Sequence, residues 1–385
     1  MDCLHKRTWA EISLENIAHN YRAIRTLIGA DCRFMGIVKA DGYGHGAVPV
    51  VRLLEGLGAD YLAVACLDEA TVLRDAGITI PILILGQTPA EFADTLLQYH
   101  VTQSIFELEQ AKEFSDAAVA RGKRLKVHIK ADTGMSRLGF VCTRGRESEA
   151  AARIGALKEM PGLEMEGIFT HFANADADET YTMDQFTRFL NLIDCLDKEQ
   201  NMKFKFRHCA ASGAVINYPC THLDMVRPGL ILYGLYPTPE MEGIVDLRPG
   251  MSLKSRIVSV KDLEAGTPIS YGCTRVLQRD SRVAVLPIGY ADGLHRVCSD
   301  RLPVLLRGKR TKVLGRICMD MCMIDVTGIP EAKPGDIATL FGVDGEAFLP
   351  VEEMAGLAGT VSYEIICSPA VRVPRVYIGS IKGKN

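Results

Sequence analysis

Eight short, apolar, partly β-branched runs follow one another from residue 34 onward: FMGIV at 34, YLAVA at 61, PILIL at 81, TQSIF at 102, LKVHIK at 125, EMEGIFTHF at 164, FKFRHCA at 204 and MVRPGLILYG at 225. Runs of this length and make-up read as strands. Helical patterns lie between them. EQAKEFSDAAVARG ends at the helix-stopping Gly122, and YTMDQFTRFLNLIDCLDKEQ sets Phe186, Phe189, Leu190, Ile193 and Leu196 on one face. Ahead of the first strand, Ser13 caps a helix whose Leu14, Ile17, Tyr21, Ile24 and Ile28 form an apolar stripe. Eight strands alternating with helices predict parallel βα units closed into a (β/α)8 barrel, an α/β fold, with an open doubly wound sheet as the alternative.

From about residue 243 the texture changes to SLKSRIVSVKDL, SRVAVLPIGYADG, LPVLLRGKRTKVLGRICMDMCMIDV and GDIATLF, strands punctuated by Gly, Pro and Asp, with a helical period only at 351–358. The expected organisation is a barrel over residues 12–242 and a mainly-β C-terminal domain over 243–385, with TPEMEGIVDLRPG at the junction and residues 1–11 pairing with the β domain. Acidic residues number 47 and basic 44, a balance that gives no electrostatic reason to expect nucleic acid or an anionic membrane as partner. The twelve cysteines sit singly in apolar runs, so buried, reduced thiols in a cytoplasmic protein are expected. Cys318 and Cys322 lack a second ligand pair, and no metal site is expected. No stretch approaches the roughly 20 apolar residues of a spanning helix.

In a barrel, ligands are met by strand C-terminal ends and the loops that follow. Lys39, after FMGIV, lies at such an end. An ammonium deprived of water there is destabilised, which makes a neutral, nucleophilic amine accessible, the requirement for a Schiff base. Taken alone, it reads equally as a lysine that snorkels out of the barrel mouth or pairs with Asp41. Gly42, Gly44 and Gly46 fit neither the dinucleotide nor the phosphate-loop pattern.

VKADGYGHG at 38 resembles the cofactor-lysine signature of the alanine racemase family, fold-type III enzymes that use pyridoxal 5′-phosphate (PLP). Further stretches fall in that family's order: HIKADTGMSRLGF at 128, GIFTHFANAD at 167, DMVRPGLILYG at 224, ISYG at 269, PIGYADG at 287, GRICMDM at 315 and SYE at 362. The resemblance spans essentially the whole chain and implies a barrel followed by a β domain. It implies that Lys39 forms a Schiff base with PLP and serves one face of the amino acid, while Tyr271 of ISYG serves the other, since racemisation needs two acid/base groups. It places His171 against that tyrosine and Arg227 behind the histidine, with Arg227 also hydrogen-bonding the PLP pyridine nitrogen.

Phosphate contacts are implied for Tyr43, Ser212, Gly229, the backbone of Leu230, and Tyr363. The family commonly has Asn-Ser where this chain has Ala211-Ser212, which puts one polar contact in doubt. Substrate carboxylate recognition is implied for Arg137 and the backbone at Met319, and Lys130 matches a lysine that carries a carbamate in many members. Because Tyr271 and Met319 fall in the β domain and Lys39 in the barrel, the resemblance implies a head-to-tail homodimer with shared sites. Its product would supply peptidoglycan precursors. A serine or broad-specificity racemase is the alternative within the same chemistry, as pocket size alone separates the substrates; bulky Tyr363 favours alanine. A barrel-only PLP-binding protein would lack ISYG and GRICMDM, and a PLP decarboxylase generally pairs the pyridine nitrogen with an acid where this chain has Arg227.

Overall fold

The computed structural model describes residues 7–379 and resolves two compact units. One comprises Ile17–Gly42 and Ala47–Arg248; the other holds the described residues through Asn16, the four residues Tyr43–Gly46, and the described residues from Pro249 onward.

In the first unit the eight expected runs form strands. With β1 (Thr8–Ser13) counted first in the chain, they are β2 (Arg33–Ile37), β3 (Tyr61–Val64), β4 (Ile82–Ile84), β5 (Thr102–Ile105), β6 (Leu125–Asp132), β8 (Leu163–Phe169), β9 (Phe206–His208) and β10 (Met225–Val226); a two-residue strand, β7 (Phe140–Val141), pairs with β6. Every pairing is parallel, in the order β10-β2-β3-β4-β5-β6-β8-β9. The circle is drawn together between β9 and β10, where Asp224 N donates to Arg207 O (3.2 Å), Arg227 N donates to Ala210 O (2.9 Å), and Ala211 bridges Arg227. This is the eight-stranded barrel, not the open sheet.

Two details differ from expectation. The eighth strand stops at Val226, and Leu230–Tyr233 is a 3-10 turn, because the Pro228-Gly229 pair lacks one backbone donor and breaks the ladder. On helix Glu179–Gln200 the core face is Phe186, Phe189, Leu192 and Leu196, while Leu190 is 37% exposed. Ser13 does accept from Asn16 N (3.2 Å) at the start of helix Leu14–Ile28.

In the other unit, β1 pairs antiparallel with β11 (Met251–Arg256) and parallel with the last strand. In chain order the remainder are β12 (Ser259–Leu263), β13 (Pro268–Ile269), β14 (Arg275–Val276), β15 (Ser281–Leu286), β16 (Pro303–Leu306), β17 (Lys309–Leu314), β18 (Cys322–Asp325), β19 (Ile337–Asp344), β20 (Ala347–Leu349) and β21 (Arg375–Ile378). The main sheet runs β12-β15-β18-β17-β16-β19-β11-β1-β21, and after β11 the described residues of this unit hold two α-helices, Val351–Ala358 and Ser362–Cys367. The cysteines of the described residues are unpaired, yet Cys220, Cys273 and Cys367 are exposed, against the expectation of buried thiols: apolar neighbours in sequence did not guarantee a core position.

The revised helix face has a direct consequence. Leu192→Ala empties a fully buried site and should cost about 2 to 5 kcal/mol, whereas Leu190→Ala should cost under about 1 kcal/mol; urea denaturation midpoints of the two variants check this.

Candidate active site

All the barrel residues singled out from sequence lie at or just beyond strand C-terminal ends: Lys39 after β2, Lys130 in β6 with Arg137 beyond it, His171 after β8, Ser212 after β9, and Arg227, Gly229 and Leu230 after β10. Local structure fixes each. After Lys39 the backbone turns left-handed, with φ of 52° at Ala40, 51° at Asp41, 62° at Gly42 and 52° at Tyr43. Non-glycine residues in that region cost roughly 1–2 kcal/mol each. Two carboxylates offset the cost: Glu69 accepts from Ala40 N (2.6 Å) and Ala65 N (2.7 Å), and Asp41 accepts from Ala47 N (2.7 Å). Glu69 thereby ties the ends of β2 and β3 together.

Beyond β6, Asp132 accepts from Gly134 N and Ser136 N (both 3.0 Å), shaping the turn that presents Arg137. Arg137 is exposed and makes no hydrogen bond or ion pair among the described residues. Beyond β8, the fully buried Gln185 accepts from Ala173 N (2.8 Å) and donates to His171 O (3.2 Å), holding the segment that carries His171.

Arg227 is the centre of this group. It is 3% exposed; Nη1 donates to His208 Nδ1 (3.0 Å), and Nη2 donates to Thr170 O (2.8 Å), Cys209 O (3.0 Å) and His171 Nδ1 (3.3 Å). Its Nε–H has no partner among the described residues. Phe169 lies beneath: the ring centroid is 5.5 Å from the Arg227 guanidinium carbon and 5.6 Å from Lys130 Nζ, and His208 stacks on it at 4.9 Å. Burial lowers the Arg227 guanidinium to about 10, so it stays charged at neutral pH. Burial, then Arg227, Arg137, Lys130 and Lys39, hold the His171 imidazole down at about 3. Burial, then Arg137 and Arg227, bring the Lys130 ammonium to about 8.

An arginine has no acceptor, so the His171 nitrogen facing it must be the bare one. The proton of neutral His171 is therefore on Nε2, pointed away from Arg227 as a donor. Ser212 is similarly constrained: Gly229 N (3.1 Å) and Ile231 N (3.5 Å) both donate to its Oγ, and its hydroxyl proton has no acceptor among the described residues. Leu230 N–H opens its 3-10 turn and is not used by it. Ala211, where a second polar side chain was in doubt, supplies none.

In the other unit Tyr43 is buried, its ring 6.1 Å from that of Tyr363; burial, then Tyr363, raises its phenol. Gly44, at φ +76°, lies so close to Ile366 that a Cβ would meet its carbonyl oxygen at 2.1 Å. Tyr271 sits on a turn between β13 and β14 and is 71% exposed. Ser270, at φ 65°, holds that turn by donating to Arg316 O (2.6 Å). Met319 is exposed on a loop anchored by Tyr290 N to Cys318 O and Ala291 N to Met319 O (both 3.0 Å), with its own N–H unused among the described residues. The buried Asp292 fixes the adjoining segment through Gly289 N (2.9 Å), Arg7 and Arg372.

Sequence reasoning missed Glu69, Asp132, Gln185, His208, His128 and Glu166. A period-two reading of LKVHIK would have put His128 on the same strand face as Lys130; nothing in the local sequence distinguishes the other five.

Lys39, Lys130, Arg137 and Arg227 all lie close enough to His171 to act on its imidazole. The family description "Alanine racemase, N-terminal domain" matches residues 12–237 and "Alanine racemase, C-terminal domain" matches 250–377. An alanine racemase of Desulforamulus reducens is 49% identical over 373 residues, covering 96% of this chain and 99% of the relative. One from Methanococcus maripaludis is 45% identical, covering 96% and 98%. Among solved structures, an alanine racemase of Clostridium difficile 630 superposes with a TM-score of 0.91 at 40% identity over 97% of this chain and 96% of that one. That of Bacillus anthracis, solved with bound L-Ala-P, gives 0.89 at 36% identity over 100% and 97%.

His171 makes stability depend on pH. Its folded value near 3 lies below the unfolded 6.5, so the unfolded chain takes up a proton that the folded one refuses, and stability falls as pH drops below 6.5. Between pH 7.5 and 5.5, His171→Gln should lose about 1.4 kcal/mol less than the parent chain in urea unfolding.

Proposed function

The chain belongs to the alanine racemase family, an isomerase family that interconverts L- and D-alanine, and from that premise we propose which of its residues carry the reaction. The observation that carries the reading is the convergence of Lys39, Lys130, Arg137, His171 and Arg227, drawn from four barrel strands, close enough that Lys130 and His171 both respond to the charges of Lys39, Arg137 and Arg227. The residues fit PLP. The unused Nε–H of a charged Arg227 suits a ring nitrogen that accepts, and the Ser212 hydroxyl and the N–H groups of Gly229 and Leu230 suit a phosphate; in the other unit, the hydroxyls of Tyr43 and Tyr363 are groups of the kind that bind one. PLP, when bound, supplies the electron sink that makes the Cα–H of an amino acid acidic.

Lys39 then holds the cofactor and exchanges a proton at one face of Cα, and Tyr271 does so at the other. Neutral His171, with its proton fixed on Nε2, donates to the Tyr271 oxygen and favours the phenolate that a base requires. Arg137 and Met319 N–H bind the substrate carboxylate. Exposure of Tyr271 and Met319 supports their meeting a second copy of the chain, so the working unit is a homodimer with shared sites. Among the described residues no helix is long and apolar enough to cross a membrane, and the cysteines are unpaired; both support work in the cytoplasm, with D-alanine passing to peptidoglycan synthesis.

Lys130 has the property a carbamate needs. At about 8, its ammonium leaves roughly a tenth of the side chain as free amine at pH 7, able to take up carbon dioxide. The resulting anion beside Arg137 would orient that guanidinium toward the substrate. In 13C-bicarbonate, a carbamate carbon signal should appear and be absent from Lys130→Met; a spectrum without that signal would remove the modification from the account.

In deuterated water with PLP and L-alanine, α-deuterium should enter as D-alanine appears. Lys39→Ala and Tyr271→Phe should each slow racemisation by at least about 100-fold. Racemisation of L-alanine unaffected by both substitutions would reject the two-base assignment.

A further inference from the structure

Arg227 is a charged guanidinium in the barrel interior, and no carboxylate of the described residues touches it: its acceptors are two carbonyls and two imidazoles. A buried charge without compensation is expensive. The hydrogen bonds show where the compensation lies. His208 Nε2 is 2.9 Å from His128 Nδ1, His128 Nε2 is 3.4 Å from Glu166 Oε2, and Glu166 Oε2 also accepts from Tyr61 Oη (3.0 Å), which in turn is 2.7 Å from Thr102 Oγ1. His208, His128 and Thr102 are buried, and Glu166 is 8% exposed. Tyr61 opens β3 and Thr102 opens β5, so the chain of bonds runs from the strand C-terminal ends to their N-terminal ends.

The proton positions follow from one end. Arginine only donates, so His208 Nδ1 accepts and its proton is on Nε2. That proton is given to His128 Nδ1, which places the His128 proton on Nε2, and that proton is given to the carboxylate. Both rings are neutral because burial pushes both imidazoles down, His208 well below the ordinary value. At the far end burial alone would raise the Glu166 carboxyl, but the bond from His128, with Lys126, outweighs it and holds the group at about 2. Lys126 and Lys205 each approach Glu166 Oε1 at 3.4 Å from the partly exposed end.

We propose that Glu166 is the counter-charge of Arg227, acting through two neutral imidazoles locked as Nε2–H tautomers, and that His208, His128 and Glu166 are positioning residues for the racemase site. Each neutral ring that donates toward a carboxylate becomes a better acceptor at its other nitrogen, so polarisation accumulates along the chain. Arg227 is thus held charged and oriented without being neutralised by direct contact, and its Nε–H stays available to a ligand. The functional half of this inference rests on Arg227 facing the cofactor; the tautomer half does not.

The test uses the PLP-loaded full chain labelled with 15N-histidine at pH 7.5, with the two rings assigned through His128→Gln and His208→Gln. Correlation spectra should show His128 and His208 each with a protonated Nε2 and a bare Nδ1. Either ring protonated at Nδ1 would overturn the relay, whatever the role of PLP. In Glu166→Gln the His208 Nδ1 resonance should move although no atom of His208 touches Glu166, and kcat should fall roughly 10-fold with KM for alanine changed less than about two-fold. An unmoved His208 resonance, or a kcat equal to that of the parent chain, would refute the proposed coupling.

Discussion

Burial of a single guanidinium that no carboxylate of the described residues touches organises the C-terminal end of this barrel's strands. Removing Arg227 from water costs several kcal/mol. Its contacts to Thr170 O, Cys209 O, His171 and His208, three of them sharing the two protons of Nη2, are charge-assisted, a full bond of that kind being worth about 1.5–3 kcal/mol. Because all four acceptors are neutral, the positive charge is not cancelled locally. It fixes the tautomer of His171 on one side and of His208 on the other, and helps to keep His171 neutral and the Lys130 amine accessible. A carboxylate in direct contact would have relieved the same cost and removed all of these effects.

The strained segment after Lys39 is a second expense located at the same end. Ala40, Asp41 and Tyr43 adopt left-handed backbone that side chains disfavour, and the turn persists because Glu69 and Asp41 over-determine it. The chain from Tyr43 to Gly46 is packed with the β unit, so within four residues it passes from the barrel's lysine to the Tyr43–Tyr363 pair. Gly44 permits that through its positive φ and its close approach to Ile366.

Much of this was legible from residues alone. Eight apolar runs alternating with helical periods do point to parallel βα units, because each strand is short and each helix long enough to cross back over it, while closure rather than an open sheet shows only in the bonds between β9 and β10. The end of the last run was misjudged, since Leu230–Tyr233 is as apolar as a strand and only Pro228-Gly229 marks the break. Lys39 could be suspected from its place after β2. Tyr271, His171 and Arg227 became candidates only through resemblance to a family, as an isolated tyrosine in a turn or histidine near a strand end carries no signal of its own. His208, His128 and Glu166 escaped notice because their partners are 80 and 38 residues apart in sequence, and a hydrogen-bond chain across a barrel leaves no local pattern.

The central claim is that the two proton-exchanging groups belong to different copies of the chain. Coexpressing Lys39→Ala with Tyr271→Phe tests it most directly. Random pairing makes half of the dimers mixed, each with one site that has both groups intact, so activity should return to about a quarter of the unmodified level. Mixed dimers that form, by sedimentation, yet remain as inactive as either variant alone would contradict the account.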